Sequence, residues 1–163
     1  MDKYEFNIKA EQMRKMAEQG DYKTAMQIAD TIDWRRVRNA NLLSYVADIY
    51  EHNSEYEEAK DILLLAFERA PVGKRFLYKL AEISVKAGDL QDAQEFYHEF
   101  CEMSPDDSRQ FLLRYLILKA KGASAEQLIA PLEEYTSLEV DEEWLYTLAK
   151  LYSEAGCEDA CVR

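Results

Sequence analysis

The sequence predicts an all-α solenoid of about five stacked helical hairpins, and three observations carry that reading. Gly20, Gly88, Gly122 and Gly156 fall on a comb with a 34-residue period, with Ser54 on the remaining tooth, so four of the five glycines obey one spacing. Apolar columns copy the same interval: Ala25, Ala59 and Ala93 follow the teeth, while Met13, Ala47, Ala81, Tyr115 and Ala149 precede them. Between teeth the apolar residues recur at spacings of three and four, the mark of amphipathic helices. A fixed period of this length is the signature of a repeat architecture.

Composition agrees. The chain has 163 residues, enough for one domain with a real core, and only 5 glycines and 3 prolines, too few for tight hairpins. A net charge of −12 argues against nucleic acid, since neutralising phosphates needs clustered Lys and Arg. It disfavours anionic membrane surfaces for the same reason, and no stretch reaches the length of a membrane span. The N-terminus, MDKYEFNIKAEQMRK, does not read as a secretory signal. Three cysteines, Cys101, Cys157 and Cys161, build no disulfide ladder, so a reducing cytoplasm is the expected compartment.

The units run over about 4–37, 38–72, 73–106, 107–140 and 141–163, the last incomplete, within a single domain. In unit one the phrase GDYKTA at residues 20–25 marks the reversal between two helices, and GDLQDA repeats it at 88–93. Glycine past a last helical turn tolerates positive φ, and the acid after it can cap the next helix. In unit two Leu42, Leu43, Val46, Ala47, Ile49 and Tyr50 form one stripe, and a second helix is expected from about Tyr56 to Arg69, closed by Pro71. Pro105 closes unit three at the same interval. Unit four is irregular: Tyr115 and Gln127 break the small-residue columns. Ser124 with Gln127 forms a capping-box pattern, and Pro131 predicts a kink or a late start. Unit five has a first helix with Trp144, Leu145, Leu148, Leu151 and Tyr152.

The period, the aromatic after the turn (Tyr22, Tyr56), the alanine columns and the closing prolines resemble the tetratricopeptide repeat (TPR) family over about residues 4–163. The resemblance implies a right-handed superhelix whose first helices line a concave groove for peptides, a scaffold without chemistry. It also points to the leading part of a longer bacterial protein of this type. Chaperone-binding members grip a C-terminal acid with a clamp of Lys, Asn and Arg. Here unit one offers Ala10 and Arg14, Tyr45 stands where the clamp needs Asn, and Arg75 with Lys79 resembles its basic pair. A third of the pattern argues against a heat-shock-chaperone adaptor.

The groove stripe expected from that alignment carries Asn41, Tyr45 and Asp48 in unit two, Arg75, Tyr78, Lys79, Glu82 and Lys86 in unit three, and Arg109, Leu112, Leu113 and Leu116 in unit four. Arg75, Lys79, Lys86 and Arg109 would form a basic island beside Tyr45 and Tyr78, suited to an extended acidic peptide. The leucines of FLLRYLILKA would add an apolar ledge, unless neighbours cover them. The alternative is a structural or oligomerising segment of a larger protein with no groove ligand. Two copies meeting end to end would serve it.

Other clusters have plainer readings. In WRRVR, residues 34–38, the arginines are expected to cap the preceding helix, with Trp34 packed between units. Residues 123–148 hold seven acids and no Lys or Arg, a solvated outer face that lacks the alternating ligands of a calcium loop. Cys157 with Cys161, and His98 with Cys101, lack the second pair a structural zinc needs, so no metal or other cofactor is expected. Cys101 shares a column with Phe67 and Tyr135 and is expected in the core. His52 and His98 are the only imidazoles and no oxyanion site accompanies them, so no enzymatic activity is expected.

Overall fold

The structure is a computed structural model that describes residues 2–71 and 73–156. Among these residues it contains nine α-helices and no strand. In chain order they are α1 (Lys3–Glu18), α2 (Tyr22–Ala29), α3 (Ala40–His52), α4 (Tyr56–Arg69), α5 (Lys74–Lys86), α6 (Leu90–Met103), α7 (Arg109–Ala120), α8 (Ala125–Leu138) and α9 (Glu142–Glu154). They pack as consecutive hairpins, α1 on α2 through α7 on α8, with α9 against α8. This is the solenoid the period predicts.

The comb residues act as the local chemistry requires. Gly20, Gly88, Gly122 and Gly156 have φ between 78° and 82°, and Ser54 adopts φ 60° in the same place. At Gly88 its own N–H donates to the Val85 carbonyl (3.1 Å) and the Asp89 N–H reaches back to Ser84 (2.9 Å), a Schellman closure. Asp89 then caps α6 by accepting from the Asp92 N–H at 3.1 Å, and Asp21 caps α2 from Thr24 at 3.1 Å. Ser124 and Gln127 form the full capping box of α8. Gly73, off the comb, is needed for space instead, since a Cβ there would sit 2.8 Å from the Phe76 ring.

The alanine columns lie at the helix crossings, where a small side chain lets backbones approach. Ala25, Ala59 and Ala93 are fully buried. One apolar core runs through the first three hairpins and a second joins α7, α8 and α9. A small cluster of Leu77, Ala81, Phe100 and Leu113 bridges them. On the second-helix side Lys60, 6% exposed, reaches Asp89 at 3.1 Å and Asp92 at 2.5 Å, tying hairpin two to hairpin three. Burial alone would lower its pKa, but the two carboxylates outweigh it and raise the value.

Four expectations are corrected. The helix α8 does not start late: it runs from Ala125 to Leu138 with Pro131 inside it, because the Ser124–Gln127 capping box sets its start. The arginines of WRRVR cap no helix. Trp34 does so, donating Nε1–H to the Ala29 carbonyl at 3.0 Å from a buried site edge-on to Phe6, while Arg35 and Arg36 lie in solvent beside Asp33. Cys101 is half-buried rather than a core residue, its Sγ 3.7 Å from Gln110. Leu112 and Leu113 form no ledge: α7 is apolar nearly all round because α5, α6, α8 and α9 cover it, and both leucines are buried. Residues 157–163, with Cys157, Cys161 and the position expected for a second helix of unit five, lie outside the described residues.

The connector before α7 makes stability sensitive to acid. Asp107 accepts two bonds from the Arg109 guanidinium (3.1 and 2.9 Å) and one from Lys74 (3.0 Å). The Arg109 bonds hold its carboxyl well below the ordinary 3.8. A depressed folded pKa contributes stability that is present above the unfolded value and lost as pH falls below it. Urea titrations between pH 6 and 2 should therefore show a shallower acid decline for Asp107→Asn than for wild type; parallel curves would contradict the assignment.

Candidate partner-binding face

The first helices lie side by side, and their side chains interlock across intervals close to one repeat. Arg14 of α1 sits over the Tyr45 ring, 5.8 Å from its centre. Arg75 of α5 donates to Asn41 of α3, Lys79 donates to Ser44 (3.2 Å) and Asp48 (3.2 Å), and Lys86 donates to Glu51 (2.9 Å). Arg109 of α7 lies 5.0 Å from the centre of Tyr78 on α5, and Tyr115 of α7 meets Trp144 of α9 edge-on. One continuous layer results. The structure thus gathers Asn41, Tyr45, Asp48, Arg75, Tyr78, Lys79, Glu82, Lys86 and Arg109 on it.

Three of the four cations are answered from within. Lys79 faces Asp48, Lys86 faces Glu51, and Arg109 is held by Asp107. The basic island is therefore largely neutralised. Arg75 differs, since its hydrogen-bond partner Asn41 is uncharged and its guanidinium otherwise stacks on Phe76, 4.6 Å from the ring centre. Seven residues on, the side chain of the half-buried Glu82 has no hydrogen bond or ion pair among the described residues. Burial raises its pKa, partly opposed by Lys86 and Lys79. Tyr78 is pushed up to about 12, by burial first and by Glu82 second. Leu116 remains partly exposed at the edge of the second core.

The histidines hold other positions. His52 stacks on Tyr22 with ring centres 3.9 Å apart, its Nδ1 2.7 Å from the Asp48 carbonyl, and His98 lies beside Tyr97. Asn53 completes this junction by donating to the Tyr22 and Ile49 carbonyls, both at 2.9 Å. Among the described residues no group of three or more His, Cys, Asp or Glu is placed to hold a metal, and no helix is long and apolar enough to cross a membrane. Sequence reasoning missed the cleft between α1 and the Trp34 connector. Its signal was present in the adjacent WRRVR run, but only the folded chain brings α1 beside residues 31–42.

These hairpins have the tetratricopeptide-repeat fold. A tetratricopeptide repeat protein from Parabacteroides merdae superposes with a TM-score of 0.78 at 15% identity, over 99% of this chain and 63% of that longer one. A crystal structure of MamA matches with a TM-score of 0.70 at 15% identity, covering 96% of this chain and 85% of the other. A thermophilic TPR protein from Thermus thermophilus gives 0.67 at 18% identity, over 92% and 82%. No protein-family model and no curated protein matches the sequence. At these identities the likeness is one of fold.

Proposed function

We propose that the chain is a non-enzymatic scaffold, one domain of stacked repeat units that holds an extended segment of a protein partner along the layer of first helices. The observation that carries this reading is a pair of opposite charges on one face of α5 that make no ion pair, Arg75 beside Asn41 and Glu82 two turns further on. Seven helical residues span about 10 Å, the length of three residues of extended chain. The partner that fits carries an acidic group for Arg75 and a basic group about three positions away for Glu82. Tyr45 and Tyr78 flank the path with half-buried rings. This narrows the acidic peptide expected from sequence to one of mixed charge.

The test is fluorescence anisotropy with labelled peptides bearing Glu and Lys three residues apart. Arg75→Glu and Glu82→Lys should each abolish binding while leaving helical content unchanged, and the double variant should prefer the reversed charge order. Binding should weaken with salt, since exposed charges are screened over about 8–10 Å at ordinary ionic strength. Absence of binding across both charge orders would move the function to the structural alternative.

A further inference from the structure

The arginine-rich connector has no part in the inner layer; it forms one wall of an open cleft. The start of α1 and residues 31–39 enclose about 1360 Å³, with Phe6, Ile32 and Val37 among the apolar lining and Lys3, Arg14 and Arg38 among the charged. Small-molecule sites run to about 300–1,000 Å³, so this cleft has room for a segment of polypeptide. Its charge leans positive although the chain as a whole is at −12. Two of its acids are already engaged, Asp2 with the Glu5 N–H and Asp33 with Arg35. The side chains of Lys3 and Arg38 have no hydrogen bond or ion pair among the described residues.

The connector between α8 and α9 has the complementary character. Val140 is 97% exposed and Leu138 62% exposed, and Glu139, Asp141, Glu142 and Glu143 surround them. The segment is held in place: the Ser108 hydroxyl donates to Glu139 at 2.9 Å, the Tyr135 hydroxyl donates to Asp141 at 3.2 Å, and Asp141 also caps α9. Two apolar side chains fixed in water between carboxylates form a ready-made key for an apolar lock with a cationic rim.

Both features share one edge of the stack. Each hairpin-to-hairpin connector leaves a second helix and enters a first helix, so all of them lie at the end where α1 also begins. The cleft stands at one extremity of this edge and the acidic connector near the other. We propose that the cleft receives the Leu138–Val140 connector of a second copy of this chain. Two copies lying edge to edge and antiparallel make the contact twice, so the pairing closes as a twofold dimer. Small contacts of this kind fall toward the weak end of protein interfaces, below about 1,200 Å² in all, and the net charge of each copy opposes them. The dimer is therefore concentration-dependent.

Sedimentation velocity over a concentration series of the whole chain tests the proposal, with circular dichroism confirming the fold of each variant. Wild type should pass from monomer to dimer. Val140→Asp should lose the dimer, as should the cleft variant Lys3→Glu with Arg38→Glu and the connector variant Glu142→Lys with Glu143→Lys. Mixing the last two should restore a dimer, because each contact then pairs reversed with reversed and native with native. A wild type that stays monomeric, a dimer indifferent to Val140→Asp, growth beyond the dimer, or a mixture without rescue would each overturn the proposal. None of the altered residues belongs to the Arg75–Glu82 pair, so this inference and the groove reading fail separately.

Discussion

Phe100→Ala is expected to destabilise the chain by about 3–5 kcal/mol and to split its unfolding into two steps. Deleting a fully buried phenylalanine removes its transfer free energy and leaves a cavity the surroundings only partly fill. Phe100 is completely buried and is the largest member of the small cluster with Leu77, Ala81 and Leu113 that links the two larger cores. It also contacts the Tyr78 ring, 5.8 Å between centres, and lies under Arg109. A solenoid's stability is a sum of repeat terms and nearest-neighbour interfaces, so a loss concentrated at one interface uncouples its two sides. Urea unfolding followed by far-ultraviolet dichroism and by tryptophan fluorescence should separate: Trp34 reports the first core and Trp144 the second. Coincident transitions with a loss below about 1 kcal/mol would show that the bridge is not the weak link.

Ala93→Leu should cost about 1–3 kcal/mol by the opposite mechanism, overpacking. Ala93 is fully buried, follows the Gly88 turn, and sits where α6 crosses its partner. Three added heavy atoms must displace either the α5 backbone or the side chains around it, and a close-packed interior has no space to give. Leucine at the exposed Gln127, the equivalent position in hairpin four, overpacks nothing and should cost less, its one loss being the capping-box bond from the Ser124 N–H. A comparison of melting temperatures for the two substitutions checks the crossing directly, and equal shifts would mean that the column has no special place in the packing.

The features the sequence by itself determined are those whose partners lie within a few residues. Gly88 and its relatives announce the helix ends because a left-handed backbone is a property of one residue, and Asp89 announces the next start because its acceptor meets an N–H three positions on. The helix stripes follow from the same local periodicity, and the 34-residue interval then stacks the units. Which charges of the first-helix layer are paired was decided only by tertiary structure. Arg75, Lys79, Lys86 and Arg109 look alike in the sequence, and the inner layer separates them by giving Asp48 to Lys79 and Glu51 to Lys86 while Arg75 meets the uncharged Asn41. Leu112 and Leu113 are read as surface or core only when their neighbours are in place, because a helix apolar on every side carries no mark of which face is covered. Charge pairing and burial depend on groups about a repeat apart, and a one-dimensional pattern holds their spacing but not the side-chain positions that choose one partner over another.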